Sequence, residues 1–186
     1  MSDEKIEKLL ADAHETGALS KQALDTLDVV DVGAQIQAGL GLSIDDVGAS
    51  EVVLLTMMPD DSGSIQHANN ADAERDGHNF VLDALTASKQ GGEVLAHTRY
   101  LNGHVLFPYT QLAHAVKLTP ANYDPRLGTP LHDQTCVLLG TVIAKAQELA
   151  QAGIAVRTVT LIITDGGDCG STRCKPADVA AIVRDM

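Results

Sequence analysis

The 186-residue sequence predicts an α/β fold built on a mostly parallel sheet, and three observations carry that expectation. Two nearly all-apolar runs, Val52-Val53-Leu54-Leu55-Thr56-Met57-Met58 and Val159-Thr160-Leu161-Ile162-Ile163-Thr164, read as buried strands, the first of them central and buried on both faces. Helical patterns lie between and after them, which is the strand–helix–strand rhythm of parallel sheets. Between them, Asn102-Gly103 joins two strand-like stretches, a strong hairpin signal, so one antiparallel edge strand is expected as well.

Residues 1–50 read as a helical N-terminal segment packed against a main domain of residues 51–186. Ile6, Leu9, Leu10 and Ala13 recur at helical spacing until Gly17. Ser20 is a good N-cap for a second helix, with Leu19 and Leu24 placed as a hydrophobic staple. Val30, Val32, Ile36 and Leu40 continue a weaker apolar pattern up to Gly41. Nothing in these side chains specifies a ligand, so a passive cap is the plainer reading of the segment.

In the main domain, residues 51–58 are the first strand and a loop carries Asp60-Asp61-Ser62-Gly63-Ser64. A helix over 71–89 turns Val81, Leu82 and Leu85 inward and is broken by Gly91-Gly92. The hairpin strands cover 93–101 and 104–109, and Pro108 suits a sheet edge, where no ladder N–H is needed. Residues 112–127 hold little regular pattern. Thr129 then reads as an N-cap with Pro130 at the first helical position. From Leu138 and Leu139 through Val142, Ile143, Ala146, Leu149 and Ala150 runs one continuous apolar face. Gly153 ends that helix, residues 157–164 form a second buried strand, and a last helix begins near Pro176.

Composition excludes several classes of function. With 25 acidic against 13 basic residues the formal net charge is −12, which opposes binding to nucleic acid or to an anionic membrane surface. No apolar stretch is long enough for a membrane span or a signal-peptide core. Three cysteines do not suggest a disulfide framework, so a reducing cytoplasm is the expected location. Cys169 and Cys174 are expected as reduced thiols in a surface loop, with Cys136 on a helix face.

Five oxygen-bearing side chains stand out: Asp60, Ser62, Ser64, Thr129 and Asp165. Two of the loops that carry them follow the two apolar strands, and the third opens the long helix. Strand ends of a parallel sheet converge on one crevice, where carboxylates and hydroxyls can form a hard-cation site suited to Mg²⁺. In an extended loop, Ser62 and Ser64 would point to the same side. Asp61 between them is expected to face solvent, and His132 lies one turn from Thr129.

In order, Asp60-x-Ser62-x-Ser64, Gly128-Thr129-Pro130-Leu131 and Thr164-Asp165-Gly166 resemble the von Willebrand factor A (VWA) domain over roughly residues 51–186. The resemblance implies a Rossmann-like sheet with one antiparallel edge strand and helices on both faces. It also implies a metal-ion-dependent adhesion site (MIDAS) at Asp60, Ser62, Ser64, Thr129 and Asp165, holding Mg²⁺ or Mn²⁺. The ion would capture an Asp or Glu of a partner protein, and intracellular bacterial-type relatives commonly work beside AAA+ ATPases. Pro59 and Leu127 depart from the family pattern, and the family's closing strands have no counterpart after the last helix, so an exposed sheet edge beyond the Asp165 strand is expected.

Two other readings compete. Metal-dependent phosphoryl transfer would make Asp60 a nucleophile, although Ser62 stands where such enzymes use a second carboxylate. A structural subunit would carry the same loops with a metal site that has lost its role. No Walker or dinucleotide-binding loop follows either strand.

Overall fold

The computed structural model describes residues 3–28, 30–88 and 94–186. Four strands form one open sheet in the order β3-β2-β1-β4. Strand β1 (Glu51–Pro59) lies parallel to both β2 (Val94–Arg99) and β4 (Ala155–Ile163), and β3 (Val105–Gln111) runs antiparallel to β2. The expected mixture of parallel strands with one antiparallel edge is present, and Pro108 sits on that edge. Gly103 closes the hairpin at φ +89°, a backbone conformation that L side chains rarely adopt.

The alternation along β1 assigns each side chain to a face. Val53, Leu55 and Met57 pack with Leu82 and the partly buried Val81 and Leu85 of α5 (Ala71–Thr86). Val52 and Leu54 pack with Leu149, and Met58 with Leu138, both on the opposite face under α6 (Leu131–Gln151). Gly91-Gly92, read as the break after α5, lies outside the described residues, and α5 itself ends by Thr86. A short helix that sequence reading missed, α4 (Gly63–His67), lies between β1 and α5.

Helices α1 (Asp3–Glu15), α2 (Lys21–Leu27) and α3 (Val30–Leu40) cover the far side of α6. Ile6, Leu9, Leu10, Leu19, Leu27 and Ile36 share one hydrophobic cluster with Cys136, Val137, Leu139 and Ile143, and α7 (Pro176–Asp185) joins it through Ile182. Ser20 caps α2 as expected, its hydroxyl accepting the Ala23 N–H at 3.3 Å. Because α6 lies between the sheet and this helical layer, it is buried nearly all round. The single apolar face read from its sequence is therefore only half of its contacts. Even Lys145 is fully buried, donating to the Leu42 carbonyl at 2.5 Å and to Glu148 at 2.8 Å. Burial of each large aliphatic side chain here contributes about 1.5–3 kcal/mol.

One strand differs from expectation. β4 reads from its apolar run as buried, yet it is half-exposed along its length, with Val159 at 45%, while its place at the sheet edge is the one expected for the Asp165 strand. Among the described residues it pairs with β1 alone, so its apolar sequence reflects one covered ladder rather than two.

Candidate functional site

The β1–β4 register pairs Pro59 with Ile163, so both strands end on the same rung. Asp60 and Thr164 are the next residues, and the Thr164 hydroxyl donates to Asp60 Oδ2 at 2.7 Å. Asp60 Oδ1 accepts the Ser62 backbone N–H at 2.8 Å, which bends the chain into the start of α4. Ser62 keeps an extended backbone at φ −76°, ψ 159°, whereas Ser64 is in the first turn of α4. The expected extended Ser62-Gly63-Ser64 loop is thus a helix start.

The hydroxyls meet all the same. Ser64 Oγ donates to Asp165 Oδ1 at 2.8 Å, and the Ser62 and Ser64 oxygens are 2.8 Å apart. A hydroxyl has one proton, and that of Ser64 is committed to Asp165, so Ser62 donates to Ser64. Four of the five candidate residues therefore form one connected group. Asp60 is fully buried and Ser62 nearly so, while Ser64 and Asp165 are exposed.

Thr129 arrives differently from its expected role as a helix cap. Its N–H and C=O both pair with Cys169, at 3.2 and 2.8 Å, which holds it in an antiparallel bridge. Pro130 takes the N-cap position instead, and α6 begins at Leu131. Two residues earlier Leu127 pairs with the first loop: its N–H donates to the Asp61 carbonyl at 3.1 Å and its carbonyl accepts the Gly63 N–H at 3.0 Å. Thr129 is thereby set beside the Asp60 loop, and among the described residues its hydroxyl makes no hydrogen bond.

Asp61 is the clearest correction. It is 5% exposed, not solvent-facing, and its Oδ1 accepts both the Asn102 backbone N–H at 3.0 Å and the Asn102 amide at 2.8 Å. That amide also donates to the Gly128 carbonyl at 2.8 Å, so the hairpin turn fastens two of the loops together. Burial, the dominant effect, raises the Asp61 pKa against the Asn102 hydrogen bonds.

Three further residues were missed. Glu74 accepts the Asp60 N–H at 3.3 Å, and burial, followed by the charges of Asp60 and Asp165, pushes its pKa up to about 7. Tyr123 donates its hydroxyl to the Asp60 carbonyl, and Thr164 holds Asp60 as described. Glu74 was readable in principle: Glu74, His78 and Leu82 are all buried at four-residue spacing, so polar groups stand on an apolar stripe. His132 pairs with Asp168, its N–H donating at 3.2 Å and its ring nitrogen lying 3.3 Å from the same oxygen.

Among the described residues no three His, Cys, Asp or Glu side chains gather so as to hold a metal ion by themselves. What this end of the sheet offers is mixed: the Asp60 and Asp165 carboxylates with the Ser62, Ser64 and Thr129 hydroxyls. The Ser62 oxygen donates its proton away and accepts nothing among the described residues, and the Thr129 hydroxyl is unengaged. Two neutral oxygens beside two carboxylates fit a hard divalent cation. A hollow of about 560 Å³ lies at the other end of the sheet, around Ile154–Thr158. No family model matches the chain, and no curated protein or solved structure matches it.

Proposed function

We propose that this chain is a divalent-cation-dependent protein-binding domain of the VWA type, non-enzymatic, with Mg²⁺ or Mn²⁺ held by Asp60, Ser62, Ser64, Thr129 and Asp165. One observation carries the reading: two strand ends on the same rung bring carboxylates and hydroxyls together while the Ser62 and Thr129 oxygens stay free to coordinate. A bound ion supplies an electropositive position that attracts a carboxylate. The partner it selects is accordingly a protein presenting Asp or Glu, within a cytoplasmic complex such as an AAA+ ATPase system. No helix among the described residues is long and apolar enough to cross a membrane.

The burial of Asp60 supports binding over phosphoryl transfer. A nucleophilic carboxylate must meet the phosphorus directly, whereas Asp60 is fully buried and can act on an ion through a lone pair or an intervening water. Calorimetry with Mg²⁺ and Mn²⁺ tests the reading. The wild-type chain binds one ion; Asp60→Ala loses binding and Thr129→Ala weakens it at least tenfold while circular dichroism stays unchanged. Equal binding by all three sinks the assignment. Metal-dependent hydrolysis of nitrophenyl phosphate or ATP that Asp60→Asn abolishes turns the conclusion to the enzymatic alternative.

A further inference from the structure

Cys174 is not in a surface loop. It is 8% exposed and packs in one hydrophobic cluster with Cys136 of α6. The placement is built: Asp133, one turn before Cys136, accepts the backbone N–H groups of Thr172, Arg173 and Cys174 at 2.9, 3.0 and 2.7 Å. These bonds hold the segment between β4 and α7 onto the first turn of α6. A hollow of about 220 Å³, walled by Asp25, Val32, Asp133, Arg173, Cys174 and Asp178, reaches Cys174 from solvent. Cys136 does not line it.

We propose that Cys136 and Cys174 are a reversible dithiol pair, oxidised to an intramolecular disulfide by a peroxide that enters through this hollow. Cys174 is the attacking group because it alone meets the hollow. Interaction with the Cys136 thiol lowers the Cys174 pKa, helped by Arg173 and opposed by burial, Asp133 and Asp178, and the same interaction raises that of Cys136. The Cys174 thiolate attacks one oxygen of hydrogen peroxide: an S–O bond forms, the O–O bond breaks, and hydroxide leaves to become water. The Cys136 sulfur then attacks the sulfenic sulfur, losing its proton and expelling a second water. Two electrons pass from the dithiol to the peroxide. In a reducing compartment such a disulfide is transient, as expected of a redox-sensing pair. It fastens the segment that carries Asp165 and Cys169 covalently to α6.

The test uses the full reduced chain, treated with an equimolar amount of hydrogen peroxide, alkylated, and mapped by peptide mass without reduction. The expected result is loss of two of the three free thiols, a linked Cys136–Cys174 peptide, alkylated Cys169, and full recovery with dithiothreitol. Cys169→Ser, an exposed position, gives the same linked peptide. Cys136→Ser leaves Cys174 as a sulfenic acid that dimedone traps. Alkylation of both Cys136 and Cys174 in the treated wild type overturns the proposal, as does a disulfide that joins Cys169 to either.

Discussion

His97 shows what one buried side chain does to the molecule's response to pH. It is fully buried in β2, its Nδ1 donating to the Phe107 carbonyl at 2.8 Å while Nε2 has no partner among the described residues. Burial first, and the nearby Arg99 charge after it, push its pKa down to about 4 against that hydrogen bond. The folded chain therefore keeps His97 neutral where the unfolded chain takes up a proton. Its contribution to stability is fully present above about pH 6.5 and is lost as pH falls towards about 4, on the order of 3 kcal/mol. In urea denaturation across that window the wild-type midpoint falls steeply, and His97→Asn flattens the dependence. Parallel curves would assign the acid sensitivity elsewhere. Arg99 beside it is also fully buried, with hydrogen bonds to the Gln35 and Gly103 carbonyls at 3.1 and 3.5 Å and a pKa lowered by burial to about 10.

At the scale of elements, β4 is the least protected part of the sheet. It pairs with β1 along nine rungs, and among the described residues no strand lies on its other side. Alternate residues of a strand in a parallel ladder turn their N–H groups the opposite way, so every second amide of Ala155–Ile163 faces the open edge. Native-state hydrogen exchange should find those amides near the unprotected rate, while the amides of β1 between Val52 and Met58 exchange only through global unfolding. Uniform protection along β4 in a chain shown to be monomeric by light scattering would mean that this edge is covered. The candidate site inherits the contrast. Asp60 follows the central strand and is locked by Thr164, Ser62 and Glu74, whereas Asp165 follows the edge strand and stays exposed.

For the whole molecule, α1, α2 and α3 belong to the same packed core as α6, whose outer side they cover. A chain beginning at Ser43 would present Val137, Leu139 and Ile143 to water, each at a cost of about 1.5–3 kcal/mol, and would also lose the Lys5–Glu148 pairing. Natural domains are stable by only about 5–15 kcal/mol, so that chain should lose cooperative unfolding and bind a hydrophobic dye. Retained cooperative thermal unfolding would show instead that residues 43–186 fold alone. The net charge of −12 raises the electrostatic cost of approach for anionic surfaces.

Local periodicity and turn chemistry by themselves determined the order of the four strands and of the helices other than α4: the strand runs, the Asn102-Gly103 hairpin, the Ser20 cap, and helices that start or stop at Pro176 and Gly153. These depend on neighbours a few residues apart, which a sequence displays directly. They also brought Asp60, Ser62, Ser64, Thr129 and Asp165 into consideration, because strand ends in a parallel sheet converge. What a neighbour distant in sequence supplies was not legible there. An apolar run does not say how far its faces are covered, so β4 read as buried although it is half-exposed along its length. A short polar side chain in a loop does not say what it meets, so Asp61 read as solvent-facing until Asn102, forty-one residues on, closed over it. The same holds for Thr129, taken from its capping role by Cys169, and for Cys174, held against Cys136 by three backbone bonds to Asp133. Tertiary packing decided these because burial, ladder pairing and loop-to-loop hydrogen bonds belong to pairs of residues that only the folded chain brings together.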